Sequence, residues 1–294
     1  MTTIEQSPES PRHLIDYTMS DVERSEIFRD SVKDLASELK PEHTNVLIVP
    51  SDHGLANYVR AIEREEFPAS VKDMAPYEAD SRFVLVLQDD EDYVEHDLPA
   101  HIFRLNTRDK NSSPTSSEYP TGLPTFDDAL KLGLVSEQQL LDYYQAESLP
   151  ILGEQYINVE ANVSLDIPNP SIKRPYSPLG YRAIFELAQQ EEARGVVAYQ
   201  NPIAIKSMAR IGLKATPLVN NPDLYSQNDD SPAEKDGSPA RYHPLTLEAA
   251  PWSLQKDGVP EHNSRIFTDP EYAIGFSRVA ALVASKNLNV INIV

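Results

Sequence analysis

The pattern of apolar and polar residues along the chain predicts alternating strands and helices. Short apolar runs bounded by turn residues are typical of buried strands, whereas apolar residues three and four positions apart are typical of helices. By these criteria we predict strands at 45–50, 82–88, 100–107, 154–166 and 196–200, and an edge strand at 289–294 that closes the chain.

Polar residues at the ends of apolar segments indicate where helices begin. Ser20 with Glu23, and Ser136 with Gln139, have the spacing of capping boxes, and Thr125 is predicted as a further N-cap. The predicted helices cover 20–39, 53–66, the segments after Thr125 and Ser136, 179–194, 201–213 and a last segment from 269, with Gly195 and Gly212 as C-caps.

The order of these elements predicts an α/β fold with a mixed, twisted sheet flanked by helices. The strands at 82–88 and 100–107 are joined by an acidic loop, which favours an antiparallel hairpin. The strand at 154–166, the helix at 179–194 and the strand at 196–200 form a crossover unit, which favours a parallel pair. We therefore expect antiparallel strands first and a parallel pair later.

Composition divides the chain into three segments. Residues 1–13 are polar and are expected to form a disordered tail, and residues 14–220 hold the predicted sheet. Residues 221–294 are expected to form a loop-rich C-terminal extension with a final helix packed on the core. Residues 220–265 are predicted to be rich in loops, and 220–240 within them has little apolar content and is predicted to be a flexible excursion.

Charge and residue types narrow the function. The 294 residues carry a net charge of −20 and no cysteine. Such an acidic protein does not favour nucleic acid or an anionic membrane as its partner, because both are polyanions. Thiolate nucleophiles, disulfides and cysteine-based zinc sites are excluded. The polar start of the chain and the lack of an 18-residue apolar run lead us to expect a soluble cytoplasmic protein without a membrane span.

Several common kinds of active site have no counterpart in the sequence. The seven histidines form no HxH or HExxH pair, so no metal is expected. The nucleophile motif GxSxG, the phosphate-binding P-loop and the dinucleotide motif GxGxxG are also missing. Hydrolysis by a serine nucleophile, phosphoryl transfer and nicotinamide redox chemistry are therefore disfavoured.

One stretch resembles a known superfamily. In "NPIAIKSMARIGL", residues 201–213, Asn201, Ala204, Gly212 and Leu213 match the short helix of the GNAT (N-acyltransferase) superfamily. Upstream, "SPLGYRA" stands where that superfamily has its pyrophosphate-binding turn, and Gly180 matches the central glycine. The order of elements over residues 20–220 is similar to that of acyl-homoserine-lactone synthases and long-chain N-acyl amino acid synthases.

The resemblance implies a thioester donor, either acyl-CoA or acyl-carrier protein, held where the strands at 155–165 and 196–200 splay apart. Backbone N–H groups at a helix start bind a diphosphate, and nearby positive charge assists them. The donor-binding residues predicted on this basis are Lys173, Arg174, Ser177, Gly180, Arg182 and Asn201.

The same resemblance implies transfer of the acyl group to an amine of a small molecule. Glu160 is predicted as the general base. Tyr199 is predicted as the general acid, because Met208 stands where the superfamily often has a tyrosine. The predicted substrate-binding residues are Glu78, Asp80 and Arg104.

Other interpretations remain open from the sequence alone. Asn201 followed by Pro202 is an ordinary helix start, and Arg104 is compatible with a plain salt bridge. Met208 and the imperfect phosphate turn favour a non-catalytic acyl-CoA-binding or structural module as the alternative to an acyltransferase. A cation-binding acidic protein is a third reading, and the sequence leaves open a homodimer.

Overall fold

The computed structural model describes residues 20–66, 75–87, 99–108, 116–165, 176–228, 238–250 and 258–293. Within these ranges a single mixed sheet of nine strands forms the framework, which confirms the predicted fold class. The strands are β1 (Thr44–Pro50), β2 (Ser81–Val86), β3 (His101–Thr107), β4 (Tyr156–Ser164), β5 (Gly195–Gln200), β6 (Thr216–Pro217), β7 (Ser226–Asn228), β8 (Ala240–Glu248) and β9 (Leu288–Asn292).

Ten α-helices and two short 3₁₀ segments accompany the strands in the described ranges. The α-helices are α1 (Asp21–Asp34), α2 (Gly54–Glu66), α3 (Pro124–Lys131), α4 (Glu137–Tyr144), α5 (Leu149–Glu154), α6 (Tyr176–Gln190), α7 (Pro202–Arg210), α8 (Val259–Thr268), α9 (Pro270–Ala273) and α10 (Arg278–Ser285). The 3₁₀ segments are Ala75–Asp80 and Leu218–Asn220.

The sheet has the spatial order β6-β8-β5-β4-β3-β2-β1-β9, and β7 pairs with β8. Strands β1 to β4 are antiparallel neighbours, whereas β4 and β5 are parallel. These pairings confirm the predicted hairpin and the predicted crossover. The closing strand β9 lies at the sheet edge and runs parallel to β1.

Alternating side chains along the strands bury both faces of the sheet. One face carries Phe103, Leu105 and Val159, which pack with α6 in the largest apolar cluster. The other face carries Phe83 and Ile102, which pack with α1 and α2. On that second face, a third cluster joins α3, α4 and α5 to the first half of β4 and to β5.

The capping predictions have mixed outcomes. Both capping boxes are confirmed, at Ser20 for α1 and at Ser136 for α4. Thr125 is not an N-cap: it lies inside α3, whose N-cap is Leu123.

Gly195 was predicted as a C-cap and is instead the first residue of β5. A Cβ added there would lie 2.3 Å from the carbonyl oxygen of Leu247. A glycine is therefore required by the close approach of β8 rather than by the end of a helix.

The C-terminal part of the chain contributes more than the expected loops. Strand β8 falls inside the segment predicted to be rich in loops, 220–265, and it pairs with β5 over six residues from Gly195 to Gln200. The expectation of a loop there is wrong. Among the described residues, no helix combines the length and apolar character needed to cross a bilayer. The predicted tail, 1–13, lies outside the described residues.

Candidate functional site

The parallel pair β4–β5 is joined along only part of its length. Its ladder runs from Tyr156 opposite Gly195 to Val159 opposite Ala198. Beyond this point β4 continues beside β3, and β5 continues beside β8. The described parts of the two strands therefore separate after Val159, which confirms the predicted splayed pair.

A bulge in β4 lies at the point of separation. The register between β3 and β4 shifts by one residue, so that Glu160 and Ala161 lie opposite the single residue Arg104. A bulge bends its strand, increases the local twist and redirects side chains, and bulges are frequent beside active sites. Glu160 is thus the first β4 residue past the shared ladder and part of the bulge.

A cleft of about 370 Å³ opens beside the separated strands. It is lined by residues from β4, β5, β8 and the helices α6 and α7. These residues are Glu160, Ser177, Pro178, Tyr181, Tyr199, Gln200, Asn201, Ala204, Ser207, Met208, Ile211 and Tyr242. The cleft brings together four predicted site residues, Glu160, Ser177, Tyr199 and Asn201.

Glu160 is partly buried and accepts a hydrogen bond from the side-chain amide of Asn158. Burial, together with the negative charge of Asp128, raises the pKa of Glu160 to about 7, although Arg104 acts in the opposite direction. A carboxyl group with a pKa near neutrality exchanges protons readily at neutral pH, which suits a general base.

Tyr199 lines the same cleft. Its hydroxyl oxygen is buried and has no hydrogen-bond partner among the described residues. Burial and the charges of Asp128 and Glu160 raise the tyrosine pKa, so the hydroxyl stays protonated at neutral pH. Met208 also lines the cleft and is buried, but its thioether has no proton to give.

Asn201 caps the helix that forms one wall of the cleft. Its Oδ1 accepts a hydrogen bond from the backbone N–H of Ala204 at 2.8 Å, and Pro202 occupies the first helical position. At the other end, Gly212 has φ +87° and provides the left-handed residue that follows the helix. The contact of Asn201 with a donor stays a prediction.

The start of α6 differs from what the sequence suggested. The helix begins at Tyr176, so Gly180 lies in its second turn rather than at its entry. A Cβ added to Gly180 would lie 2.1 Å from the ring of Phe103. Its glycine therefore permits close packing of the helix on the sheet, and the expectation that it opens the helix is wrong.

The side chain of Arg182 forms hydrogen bonds within the protein. Its Nη1 donates to the carbonyl oxygens of Val283, at 2.8 Å, and Lys286, at 2.7 Å, and its Nε donates to Glu186 at 3.1 Å. Arg182 thus satisfies carbonyl groups at the end of α10. This contact corrects the prediction that it provides charge for a diphosphate. Lys173 and Arg174 lie outside the described residues.

Two cations that sequence reasoning missed lie on α7 instead. Lys206 and Arg210 are exposed, stand four residues apart on the same side of α7, and form no ion pair with a described residue. Ser207 and Met208, between them in sequence, line the cleft. The signal was present in "KSMAR", where the i, i+4 spacing of two basic residues predicts a shared helix face.

Two of the three predicted substrate residues lie in a buried group that we call the arginine cluster, formed by Arg60, Glu63, Glu78 and Arg104. Arg104 is 3% exposed and pairs with Glu63 at 3.0 Å and with Glu78. Arg60 pairs with the same Glu78. This arrangement corresponds to the salt-bridge interpretation of Arg104.

Asp80 is not part of that cluster. It lines a separate groove of about 840 Å³ near the start of β4, together with Arg82 and Glu191. Arg82 and Glu191 form a bidentate pair there, at 2.5 and 2.7 Å. The structure therefore does not bring Asp80 together with the cleft.

The strand order and the opened parallel pair agree with the mixed sheet and splayed parallel pair that the sequence predicted. No protein-family model matches the sequence, and no curated protein matches it either. The chain resembles the solved structure of the CoA-dependent acyl-homoserine lactone synthase MesI with a TM-score of 0.39 and 13% identity, over 75% of this chain and 93% of that chain. It resembles the CoA-dependent acyl-homoserine lactone synthase BjaI with SAM and isopentyl-CoA with a TM-score of 0.38 and 11% identity, over 81% of this chain and 97% of that chain. It resembles the C-terminal condensation domain of Ebony with beta-alanyl-dopamine with a TM-score of 0.34 and 15% identity, over 78% of this chain and 96% of that chain. TM-scores of this size do not assign an activity.

Proposed function

We propose that this protein is an N-acyltransferase that moves an acyl group from a thioester, acyl-CoA or acyl-carrier protein, to an amine of a small molecule. One observation carries the proposal. Where the parallel pair opens, the cleft is lined by Glu160, with a pKa near 7, and by Tyr199, whose hydroxyl has no hydrogen-bond partner among the described residues. These are a proton acceptor and a hydrogen-bond donor of the kind that aminolysis of a thioester requires.

The pantetheine arm of the donor can lie along the edge of β4 that is no longer paired where β5 separates from it. An extended ligand can add to an exposed strand edge through main-chain hydrogen bonds, and the amides of a pantetheine arm have the groups for this mode. The first turn of α6, at Ser177, offers N–H groups of a helix start, while Lys206 and Arg210 offer positive charge on α7. An anionic group at the far end of the donor would lie between them.

Glu160 would take the proton from the incoming ammonium group. The neutral amine then attacks the thioester carbonyl carbon, which forms the C–N bond and a tetrahedral oxyanion. Backbone N–H groups of β4 beyond the bulge would stabilise this oxyanion. When the intermediate collapses, the C–S bond breaks, and the thiolate accepts a hydrogen bond from Tyr199 and the proton held by Glu160. The nitrogen, which still carries one proton more than an amide, gives that proton to the regenerated carboxylate of Glu160, from which it passes to solvent. Because the pKa of Tyr199 is raised, we assign it a hydrogen bond rather than full proton donation.

Met208 favours the alternative, a non-catalytic module that binds acyl-CoA on the same fold. Its buried side chain fills part of the cleft wall without any acidic proton. In this alternative the cleft would still bind the donor, because the strand edge and the helix starts are unchanged, but no thiol would be released.

Two measurements on the full chain separate these functions. Thermal unfolding is followed with acetyl-CoA and with longer acyl-CoAs, and free-thiol release is followed with the same donors and a panel of primary amines. Stabilisation together with amine-dependent thiol release is the expected result. Stabilisation without release would establish the non-catalytic alternative, and neither response, with acyl-carrier protein tested as well, would contradict both.

A further inference from the structure

Building on the proposed acyl transfer, we infer that the acceptor is a cationic amine that carries no carboxylate beside its amino group, rather than an α-amino acid. The charges around the cleft support this acceptor class. An acceptor must bring its amine to Glu160, so any group attached to the same carbon enters the same surroundings.

The described lining of the cleft holds a single ionisable carboxyl group, Glu160, and no lysine, arginine or histidine. A substrate carboxylate in the cleft would lose water without gaining a charged partner from these described residues, which is costly for an ion. An ammonium group would instead lie beside Glu160. Asp128 adds negative charge at the same place, because its field acts on both Glu160 and Tyr199.

Arg104, the cation whose charge acts on Glu160, is already occupied. Arg104 donates from Nη1 to Glu63 at 3.0 Å, from Nη2 to Glu78, and from Nε to Ser81 at 3.2 Å. These contacts use every nitrogen of the planar fork that would otherwise recognise a carboxylate.

Arg60 is occupied in the same manner. Its Nη1 donates to the side chain of Asn57 at 2.8 Å, its Nη2 donates to the carbonyl oxygen of Ser51 at 2.6 Å, and it also pairs with Glu78. A substrate carboxylate would have to displace Glu63, Glu78 or these neutral partners from a buried position. The arginine cluster therefore gives no anchor for an amino acid.

The proposed function assigns the exposed cations Lys206 and Arg210 to the donor. They stand on the solvent face of α7, whereas its cleft face carries Ser207, Met208 and Ile211. Their charge can balance an anionic donor without entering the acceptor surroundings. The positive charge assigned to the acyl donor, on Lys206 and Arg210, is therefore separate from the negative charge assigned to the amine acceptor, on Glu160 and Asp128.

Matched acceptors test the inference with the full chain and an acyl-CoA that stabilises it. The pairs are tyramine with tyrosine, histamine with histidine, and agmatine with arginine, and each amino acid is also tested as its methyl ester. The ester keeps the size of the amino acid but removes its negative charge. We expect kcat/KM for the amines and the esters to exceed that of the amino acids by about 100-fold or more, because like charges placed together cost several kcal/mol.

Amino acids used as well as their decarboxylated partners would overturn the inference and leave acyl transfer in place. Thiol release with none of the nine acceptors would overturn the proposed transfer to an amine, and the inference with it. A low rate for esters and amino acids alike, with amines active, would indicate exclusion by size and would also overturn the electrostatic argument.

One variant distinguishes charge from shape. Asp128→Asn removes a negative charge that acts on Glu160 and should reduce the preference for amine over amino acid by about tenfold. Asp142→Asn changes an exposed aspartate on α4 and should leave the preference unchanged. An unchanged preference in Asp128→Asn would contradict the assignment of specificity to this charge, whereas a loss of folding would appear equally for all acceptors.

Discussion

Two polar regions of the molecule, the arginine cluster and the cleft, are built differently. In the arginine cluster, both guanidinium groups are held by carboxylates and by neutral acceptors, and only Glu63 Oε1 is left without a partner among the described residues. In the cleft, Glu160 has one amide partner, and the hydroxyl of Tyr199 has none in the described part of the chain.

This difference distinguishes polar groups that stabilise the fold from polar groups that can bind a ligand. Buried polar groups in proteins nearly always have partners, and a group without one calls for a specific explanation. The arginine cluster ties α2 and the 3₁₀ segment at Ala75–Asp80 to β3, so its charges are used within the protein. The cleft leaves polar groups unused at a place where the sheet has opened, so these are the groups that a substrate can engage.

The largest effect that this comparison predicts is on catalysis. Glu160→Gln keeps the size and an acceptor oxygen of the side chain but removes the base, so kcat/KM for amine-dependent thiol release should fall by about 10²- to 10⁴-fold. The matched control is Glu137→Gln, an exposed change in the first turn of α4. Full turnover in Glu160→Gln would show that the base is another group.

The next effect is on stability and concerns the arginine cluster. Arg104→Met leaves the buried Glu63 without its paired cation, while Glu78 keeps Arg60, and breaking a buried ion pair in this way costs about 3–5 kcal/mol of the free energy of unfolding. Urea titration measures the loss. The control Arg265→Met breaks an exposed pair with Asp269 at 2.8 Å and should cost about 0–1 kcal/mol.

The same Arg104 variant would also reveal a substrate role. If its stability were unchanged while KM for the amine rose, Arg104 would be the substrate anchor that the sequence predicted, and the division between the two regions would be wrong.

A pH profile gives a smaller effect and concerns the cleft alone. Burial raises the pKa of Glu160 to about 7, from an ordinary value of 4.5, so the carboxylate that accepts the proton is lost as the pH falls through 7. Below that point kcat/KM should fall about tenfold for each pH unit. An acidic limb near 4.5 would contradict a buried base. In Glu160→Gln the limb at pH 7 should disappear, whereas titration of the amine itself should persist.

Local signals in the sequence predicted much of the framework around these regions. The capping box at Ser20, the apolar runs of β1 to β5 and the N-cap at Asn201 depend on near neighbours in the chain, and such signals can be read without a structure. Glu160 and Tyr199 could be placed in one cleft because a parallel crossover brings the ends of its two strands to the same edge.

Long-range partners could not be predicted in this way. Gly195 was mistaken for a helix end because its neighbour is the carbonyl of Leu247, about 50 residues later in the sequence. The role of Arg182 is set by carbonyl groups of α10, about 100 residues away. Strand β8 was missed because "ARYHPLTLE" contains a proline and few apolar residues, and its pairing with β5, β6 and β7 fixes it as a strand.

Asn201 provides the smallest effect and the sharpest test of the comparison, because it lies in the cleft and yet has a partner. If a partnered polar group serves the fold, the amide of Asn201 is a helix cap and no more. Asn201→Ala should then lower the free energy of unfolding by about 0.5–2 kcal/mol, and Asn201→Ser, which can still cap, should restore most of it.

Under this reading the KM for the acyl-CoA should be the same in both variants, since neither removes a contact with the donor. The two quantities are measured on the same preparations, by urea titration and by thiol release. A KM that rises in both variants, with the stability of Asn201→Ser intact, would show that the amide contacts the donor as the sequence predicted. A polar group that already has a partner within the protein could then also bind a ligand. The number of such partners alone would then not distinguish the cleft from the arginine cluster.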